Sequence, residues 1–430
     1  MEAVLHSGAI AEDRSVALTR SPRIMSVDAL RGLIMFVMIF VNDLAGAPDE
    51  IVPAWMKHFG KGDGMTFVDL VFPAFLFIVG MSIPFALGSR LTKGEPVWRV
   101  LLHVVTRTLA LLFLGILMVN ESPSSKAMGW SATLWVALMY LSAMLAFCDI
   151  VPSWVHNKAE LKTHFWRYFT WILRIIGFAS LVWLAFAFRG RRGQHIITLS
   201  PFSIHHDWYG ILGLIGWAYL IASLVFLIFR ENRTALLGAT VLLMCLYPAD
   251  KNGFFDNFFL GNYVGIGDTL GSQAAITLAG VLLASILVAP RTATDGRRAQ
   301  FTFLFIIGFS IAAMLLRGLY GINKDDATPS WCLWACAITA ALWLIFYFIS
   351  DVWRIGFITK PLAIAGQNVL LAYLISEGLD AFLGLLHLDD WYSNLAEADL
   401  FHACARSAGC AAAILVFTAL VNRAGFRLKL

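Results

Sequence analysis

Long apolar segments separated by short polar stretches recur along almost the whole of this chain. A bilayer core about 30 Å thick needs about 20 apolar residues per helical span, and the segments have about that length. The pattern predicts twelve membrane-spanning helices, near residues 27–45, 67–88, 98–118, 130–150, 166–188, 209–229, 234–248, 268–289, 301–320, 331–350, 360–384 and 403–421. Because the seventh segment is short and the eleventh is interrupted by polar residues, eleven spans would also fit. The predicted fold class is all-α, a polytopic membrane protein with about 11–12 transmembrane helices.

The composition agrees with this pattern and argues against a water-soluble protein. Of 430 residues, 59% are hydrophobic and only 14% are charged, whereas soluble domains carry about 25% charged residues. No basic stretch suggests nucleic-acid binding, so the expected surrounding is membrane lipid and nucleic acid is not an expected partner. No His or carboxylate completes a metal-ligand set around the cysteine pair Cys332 and Cys336, so no metal is predicted.

The distribution of charge predicts the orientation of the helices. Lys and Arg are enriched in the cytoplasmic loops of membrane proteins. With the N-terminus inside, basic residues such as Arg90 fall mostly on the inner side, and outer loops are often acidic, as at Asp325. We therefore predict that both termini are cytoplasmic, with residues 1–24 as a tail and residues 25–430 as a single transmembrane domain.

One predicted outer loop departs from this rule. Arg189, Arg191 and Arg192 follow the fifth predicted helix, where few positive charges are expected. They could bind an anionic ligand or lipid headgroups, or they could mark a local error in the predicted topology.

Several ionisable side chains fall inside predicted membrane helices, where they are costly unless paired or solvated and are therefore candidates for function. Asp28 and Arg31 lie three residues apart on one face of the first helix. They could form an ion pair that anchors the helix at the inner interface, or they could contribute to a ligand site. His103 and Arg107, four residues apart on the third helix, could line a cavity for a phosphate-bearing ligand or make helix–helix hydrogen bonds.

Polar residues also concentrate at the outer end of the first helix and in the loop after it. The helix ends at Asn42 and Asp43, and His58 lies among aromatic residues of the loop, shortly before Asp69. Histidine suits proton transfer near neutral pH, although a histidine at a membrane interface is more often a passive polar residue. Later helices add further polar candidates: Asp268, Arg317, Gln367, Asn368 and Glu377.

Several sequence blocks follow one another in an order typical of one enzyme family. The specific blocks are residues 23–32 (RIMSVDALRG), 40–42 (FVN), 55–58 (WMKH) and 66–80 (TFVDLVFPAFLFIVG). Weaker blocks follow at residues 267–272 (GDTLGS), 323–324 (NK) and 366–368 (GQN). Together they resemble the heparan-α-glucosaminide N-acetyltransferase family of transmembrane acyltransferases, in particular its bacterial members.

The resemblance weakens in the middle of the chain, at about 120–250. Met128, Gly129 and Trp130 stand where the family would have a Gln-Arg pair on the fourth helix. The helices near 166–188 and 209–229 are additional to the pattern of the lysosomal enzyme, a departure that concerns the substrate more than the type of reaction.

The resemblance implies an enzyme that moves acetyl from cytoplasmic acetyl-CoA to an amine on the outer side of the bacterial inner membrane. In the lysosomal enzyme of the family the acceptor is a terminal glucosamine, so the expected partners here are acetyl-CoA and an amino-sugar or glycan acceptor. The family's active-site His falls on His58, and its active-site Asn falls on Asn42.

These residue types suit acyl transfer. His58 could act as a general base toward the sugar amine, or could carry the acetyl group on its imidazole. The Asn42 amide could donate to the oxyanion that develops on the thioester carbonyl. Either Asp43 or Asp69 could orient the imidazole or bind sugar hydroxyls.

The donor must reach this site from the other side of the membrane. Candidates for the CoA path are the polar residues of the inner half of the first and third helices: Asp28, Arg31, His103 and Arg107. Arginine in particular binds phosphate through charge-assisted hydrogen bonds. Two later residues are further supporting or substrate-binding candidates: Asp268 and Asn368.

Two other function classes compete with this hypothesis. A transporter or flippase would bind its substrate with the same polar residues, but it predicts internal symmetry, of which the sequence shows little. A membrane scaffold without chemistry does not explain the density of polar residues in the segment 42–69. Assembly as a homodimer is compatible with either an enzyme or a transporter.

Overall fold

The computed structural model describes residues 24–120, 123–150, 160–200, 202–205, 208–230, 232–288 and 294–429. The predicted N-terminal tail, residues 1–24, lies outside these ranges except for residue 24. The first block of the family resemblance therefore falls partly outside the described residues.

The described chain is built almost entirely from α-helices. The longer ones are α1 (Met25–Leu44), α2 (Val71–Thr92), α3 (Val97–Val119), α4 (Ala132–Ala146), α5 (Glu160–Ala187), α6 (Gly210–Phe229), α7 (Arg233–Lys251), α8 (Ala274–Val288), α9 (Asp295–Tyr320), α10 (Pro329–Tyr347), α11 (Gly356–Ala365), α12 (Val369–Leu385) and α13 (Leu400–Ala424). Shorter helical turns lie at Ser125–Met128, Asp389–Asn394, Ala54–Met56, Val68–Leu70 and Phe259–Asn262. Two π-helical turns, Ile266–Gln273 and Phe348–Val352, precede α8 and follow α10.

Four short strands form two small antiparallel sheets. Strand β1 (Cys148–Ile150) pairs with β4 (Phe426–Leu428), so Cys148 lies opposite Leu428. Strand β2 (Ile197–Leu199) pairs with β3 (Phe202–Ile204) in a hairpin. The first pairing ties the segment after α4 to the segment after α13.

In the part of the chain that the structure describes, nine helical segments are long and apolar enough to cross a bilayer. The bent pair Thr359–Ala365 and Val369–Leu385, which turns by 75°, would form a tenth span. The protein is therefore an all-α polytopic membrane protein, as the pattern predicts.

All twelve predicted segments are helical in the structure, but not all of them meet the criteria for a span. Helix α4 has 15 residues, fewer than the roughly 20 that a bilayer core requires. Helix α7 is less apolar because Arg233, Asp250 and Lys251 lie at its two ends. By length and composition the described residues thus give nine or ten spans, fewer than the predicted 11–12, because α4 is too short and α7 is not apolar enough.

The centre of the helix bundle is formed around α2 and α8. In the most apolar stretch of the span Ile266–Leu287, which includes most of α8, 94% of the residues are buried, whereas the share is only 22% in α9, which faces outward. Helices α2 and α8 approach closely because glycines face the opposing backbone: a Cβ at Gly80 would collide with the Thr277 carbonyl, and one at Gly280 with the Phe77 carbonyl. Small residues at such crossings allow helices in a membrane to pack through their backbones.

The α2–α8 contact predicts a strong effect of a larger side chain at Gly80. We expect Gly80→Val to lower the free energy of unfolding by about 1–3 kcal/mol or more, because overpacking forces the helices apart. Unfolding followed by tryptophan fluorescence in detergent micelles would measure this change. Gly238→Ala on α7 is the control, since no atom lies within 4 Å of a Cβ there. Equal stability of the two variants would contradict the proposed packing.

Candidate active site

Two sides of the bundle can be distinguished by the direction of α1. The near side is where α1 begins at Met25, and the far side is where it ends at Leu44. The loop from residue 45 to 67 therefore lies on the far side, as does the loop between α9 and α10. These two loops carry the histidine that the sequence singles out and its neighbours.

Hydrogen bonds join the two far-side loops. The Asp63 carboxylate accepts from Arg317 Nε at 3.0 Å and from the Ile322 backbone N–H at 2.8 Å. The Gly64 N–H donates to the Ile322 carbonyl at 2.9 Å. The Ile322 N–H and the Arg317 guanidinium together lower the pKa of the Asp63 carboxyl below its ordinary value. The end of α9 is thereby held against the loop that contains His58.

His58 is paired with the buried carboxylate of Asp69. His58 Nδ1 lies 2.7 Å from Asp69 Oδ1, and the Asp69 side chain is only 2% exposed. Asp69 Oδ2 also accepts the backbone N–H groups of Phe59 at 3.1 Å and Thr66 at 2.9 Å. A carboxylate beside Nδ1 favours the tautomer with its proton there, which leaves Nε2 to accept a proton. Of the two carboxylates considered from the sequence, Asp69 lies beside the imidazole.

Lys324, to which the sequence analysis assigned no role, also contacts His58. Its Nζ lies 3.1 Å from Nδ1 and 3.2 Å from Nε2 of the imidazole. One ammonium cannot make linear in-plane hydrogen bonds to both nitrogens, so the contact is chiefly electrostatic. Burial lowers the pKa of Lys324 below its ordinary value, and the carboxylates of Asp69 and Asp325 oppose this shift only in part. The available signal was the weak block Asn323-Lys324, a single base in an otherwise acidic loop.

Asn42 and Asp43 belong to a second far-side cluster. Asn42 Nδ2 donates to Glu377 Oε1 of α12 at 2.9 Å. The Asp43 carboxylate accepts from Tyr392 Oη at 2.6 Å, from Ser407 Oγ at 2.6 Å and from Arg406 Nε at 3.1 Å. The hydrogen bonds of Asp43 are therefore directed to α13 and the segment before it, and not to His58.

A polar cavity of about 540 Å³ opens beside this second cluster. Its lining includes Asn42, Glu377 and Asp380, together with Arg191 from the loop after α5. Arg191 is one of the three arginines that depart from the charge rule. Its neighbour Arg189 instead donates to the backbone carbonyls at the end of α5. The cavity combines carboxylates with an amide and a guanidinium, a set that suits a polar ligand with an amine and hydroxyl groups.

A second cavity, of about 390 Å³, extends from the near side deep into the bundle. Its near-side lining includes Arg31, Arg107 and Lys429. Its deep end reaches Phe75 and Ile211, which lie close to the far-side ends of α2 and α6. The cavity therefore spans most of the bundle's depth and changes from basic to apolar along its length.

The structure brings together some of the residues predicted for the CoA path. Arg31 Nη1 donates to Asp28 Oδ1 at 3.1 Å, so the predicted ion pair is present, and Arg31 also lines the cavity. The Arg107 guanidinium lies over the Tyr219 ring, 4.8 Å from its centroid. Arg107 Nε is buried and has no hydrogen-bond partner in the described part of the chain. His103 does not line this cavity.

The two supporting candidates from later helices occupy different places. Asn368, 3% exposed, lines the near-side cavity and binds β4: its Oδ1 accepts the Leu428 N–H at 3.1 Å and its Nδ2 donates to the Phe426 carbonyl at 3.4 Å. Asp268 lies in the π-helical turn before α8, where its carboxylate accepts the N–H of Thr269. Asp268 lines neither of the two cavities.

Within the described residues, no group of three or more His, Cys, Asp or Glu side chains is arranged to hold a metal ion. Cys332 and Cys336 are buried in α10, and all six cysteines are free thiols. The described groups of the site that can take part in acid–base or acyl-transfer chemistry are the imidazole, the carboxylates, the lysine and the amide.

Comparison with known proteins places these residues in a family. Residues 23–263, more than half of the chain, match the family described as a domain of unknown function, DUF5009. The chain belongs to the DUF5009 family. The matched region contains both His58 and Asn42, but it ends before Lys324.

Curated relatives of this DUF5009 protein match a shorter stretch. The heparan-alpha-glucosaminide N-acetyltransferase of Homo sapiens is 35% identical over 109 residues, which are 25% of this chain and 16% of that protein. The enzyme of the same name from Mus musculus is 33% identical over 108 residues, with the same shares of each chain. The alignment thus spans about a sixth of the length of these relatives and shows partial homology to them.

The position of Lys324 predicts a pH-dependent contribution to stability. Burial disfavours its ammonium, so a cost to folding is present at neutral pH and disappears as the pH rises from the lowered pKa to the ordinary lysine pKa. We therefore expect the free energy of unfolding of the wild type to rise with pH over this alkaline interval relative to Lys324→Met. Chemical denaturation at several pH values would measure the difference. Lys61 is an exposed lysine in the α1–α2 loop, so Lys61→Met should keep the wild-type dependence of unfolding free energy on pH. The same dependence in Lys324→Met would refute the prediction.

Proposed function

We propose that this protein is a transmembrane acyltransferase that moves acetyl from acetyl-CoA on the near side to an amino sugar on the far side. In this proposal the near side is the cytoplasmic side of a bacterial inner membrane, and both termini are cytoplasmic. Residues 25–430 act as one transmembrane acyltransferase domain. The names of the partial homologues support an N-acetyltransferase with a glucosamine-like acceptor.

The observation that carries the proposal is that the turn leading into α2 positions His58 on the far side, while α2 itself lines the near-side cavity. Asp69, in the helical turn that leads into α2, binds His58, while Phe75 and Ser82 of α2 line the near-side cavity. Phe75 lies six positions after Asp69, which is about 9 Å along a helix at 1.5 Å per residue. The deep end of a cavity with a basic mouth thus approaches the imidazole. Its shape suits a donor with phosphates at one end and a long, thin arm carrying the thioester.

The proposed base is His58 Nε2. It takes a proton from the acceptor amine, whose nitrogen attacks the thioester carbonyl and forms the C–N bond of the amide. The C–S bond breaks, and the leaving thiolate of coenzyme A takes up the proton that His58 removed from the amine. The base is thereby restored, and the net products are the N-acetylated sugar and CoA thiol. Asp69 holds the Nδ1 proton and stabilises the imidazolium. Transient acetylation of the imidazole, followed by attack of the amine, gives the same net reaction.

Two groups could stabilise the oxyanion that forms on the thioester carbonyl. One is Asn42, which the resemblance places at the active site and whose amide carries two N–H groups, of which one donates to Glu377. Lys324 is a second candidate, because its Nζ lies 3.2 Å from His58 Nε2. A positive charge fixed beside the reacting atoms stabilises developing negative charge most strongly where water is excluded.

The far-side cavity is the proposed acceptor site. Glu377 and Asp380 supply carboxylates that could bind a protonated amine, and Asn42 and Arg191 could bind sugar hydroxyls. A sugar amine arrives partly protonated at neutral pH, so a site that binds its cation must lie close to a base that removes the proton.

The decisive experiment is transfer of labelled acetyl from acetyl-CoA to glucosamine by purified protein in liposomes. We expect His58→Ala to lower the rate at least a hundredfold, since general acid–base catalysis contributes about 10²–10⁴. His402→Ala is the matched control, because His402 also pairs with an aspartate, Asp399, and is 57% exposed against 53% for His58. Failure of the wild type to acetylate any amine tried, or full activity of His58→Ala, would overturn the proposal.

The pairing of His58 with Asp69 gives a separate prediction. Asp69→Asn keeps the size of the side chain but removes the charge that selects the Nδ1-protonated tautomer. We expect kcat to fall by about 10²–10⁴, as when the carboxylate of a catalytic triad is replaced by an amide. Measurement of kcat and KM for acetyl-CoA would test this, with KM expected to stay within a few fold. If the loss of kcat is accompanied by a matching loss of folded protein and a lower melting temperature, Asp69 has a structural role instead.

One observation favours a transporter as the second candidate. The span formed by α11 and α12 is broken by a 75° bend, and discontinuous helices often form substrate sites in transporters. A transporter would accumulate unmodified glucosamine in proteoliposomes without acetyl-CoA. The acyltransferase proposal expects no such accumulation, and it expects acetylated product only when acetyl-CoA is present on the near side.

A further inference from the structure

We propose that the C-terminal strand β4 and the following Lys429 complete the donor site, with Lys429 binding a phosphate group of the donor. This inference rests on the proposed function, because it assigns part of the chain to recognition of acetyl-CoA. Neither the family match, which ends at residue 263, nor the resemblance blocks include this segment.

The C-terminal segment forms part of the cavity wall. Leu428 and Lys429 both line the near-side cavity, beside Arg31 and Arg107. Lys429 therefore lines the same cavity as two arginines that precede it by more than 300 positions in the sequence. The segment contributes its side chains to the same space that the proposed function assigns to the donor.

Polar contacts to β1 and to Asn368 hold this segment in place. Strand β1 pairs with it on one side, and the Lys429 N–H donates to the Phe147 carbonyl at 2.9 Å. Asn368, itself a lining residue, binds the backbone of Phe426 and Leu428 with both ends of its amide. Asn422 Nδ2 donates to Gln367 Oε1 at 3.3 Å and links the end of α13 to the cavity wall. These bonds attach the segment to the bundle, whereas a free tail would lack them.

The charged side chains that line the cavity are all basic, although Arg31 and Lys429 are each paired with a carboxylate outside the lining. Its lining contains two arginines and a lysine, but no Asp or Glu of the described chain. Arg107 Nε is buried and finds no hydrogen-bond partner among the residues that the structure describes, which is costly unless a ligand or water completes the site. Lys429, with its side chain 61% exposed, lies at the open end of the cavity, where the phosphate-bearing end of the donor would remain.

Asp149 on β1 forms an ion pair with Lys429. A phosphate that binds Lys429 has to compete with this carboxylate. Asp149 is 25% exposed and carries a charge of the same sign as the donor. Removal of that charge should therefore strengthen donor binding, an effect opposite to the loss expected at Lys429.

Binding of coenzyme A and of pantetheine, which lacks the phosphates, provides the test. We expect Lys429→Gln to weaken binding of coenzyme A roughly fivefold to tenfold, because a charge-assisted hydrogen bond is lost, and to change pantetheine binding less than twofold. Asp149→Asn should strengthen coenzyme A binding. Arg427→Gln is the matched control, since Arg427 is an exposed base of the same strand that does not line the cavity. Isothermal titration calorimetry on the full chain in detergent would measure all four proteins.

Each negative result of these binding measurements contradicts a different proposal. A wild type that binds no coenzyme A would refute the proposed donor, and with it the proposed function. Binding of coenzyme A that is equal in the wild type and Lys429→Gln would refute this inference alone. Equal weakening of coenzyme A and pantetheine would show that Lys429 supports the fold rather than a phosphate. Loss of bound phosphatidylglycerol with unchanged coenzyme A binding would assign Lys429 to a lipid headgroup, which also overturns the inference.

Discussion

The pairing of His58 with the Asp69 carboxylate determines how the far side of this protein is organised. A carboxylate with 2% exposure has lost almost all contact with water, and it is tolerated because an imidazole and two backbone N–H groups replace that hydration. These bonds attach the loop after α1 to the start of α2. Helix α2 is in turn held against α8 by close backbone contact at two glycines. The most buried helices of the bundle therefore fix the position of the imidazole through the start of α2.

Polar groups elsewhere in the bundle follow the same physical rule. Charged side chains in a membrane protein are retained when they are paired, and both Asp28 with Arg31 and Asp43 with Arg406 satisfy it. Arg107 Nε departs from the rule, because it lies in a cavity and has no hydrogen-bond partner among the described residues. Arg31 lines the same cavity but is paired with Asp28, so pairing within the bundle satisfies one arginine of the lining and not the Nε of the other.

The partial homology and the geometry cover different parts of the molecule. The DUF5009 match includes His58, Asp69 and Arg107, but not Lys324 or Lys429. Both lysines reach their positions through loops and strands that follow the matched region. A function assigned from the matched region alone would include the imidazole and its carboxylate, and it would omit Lys324 on the far side and Lys429 on the near side.

The amino-acid sequence by itself determined the helices, because about 20 consecutive apolar residues have few alternatives to a helix in a bilayer. It also singled out His58 and the polar residues near it, since ionisable groups are conspicuous in an apolar chain. It left Asp43 and Asp69 as equal candidates beside the imidazole, and it gave Lys324 no role. Only the tertiary structure decided these points, because they depend on how helices distant in sequence pack: Asp43 binds Arg406, 363 residues away, and Lys324 reaches His58 across 266 residues. Hydrophobic length is a local property of the chain, whereas the partner of a polar side chain is set by the whole bundle.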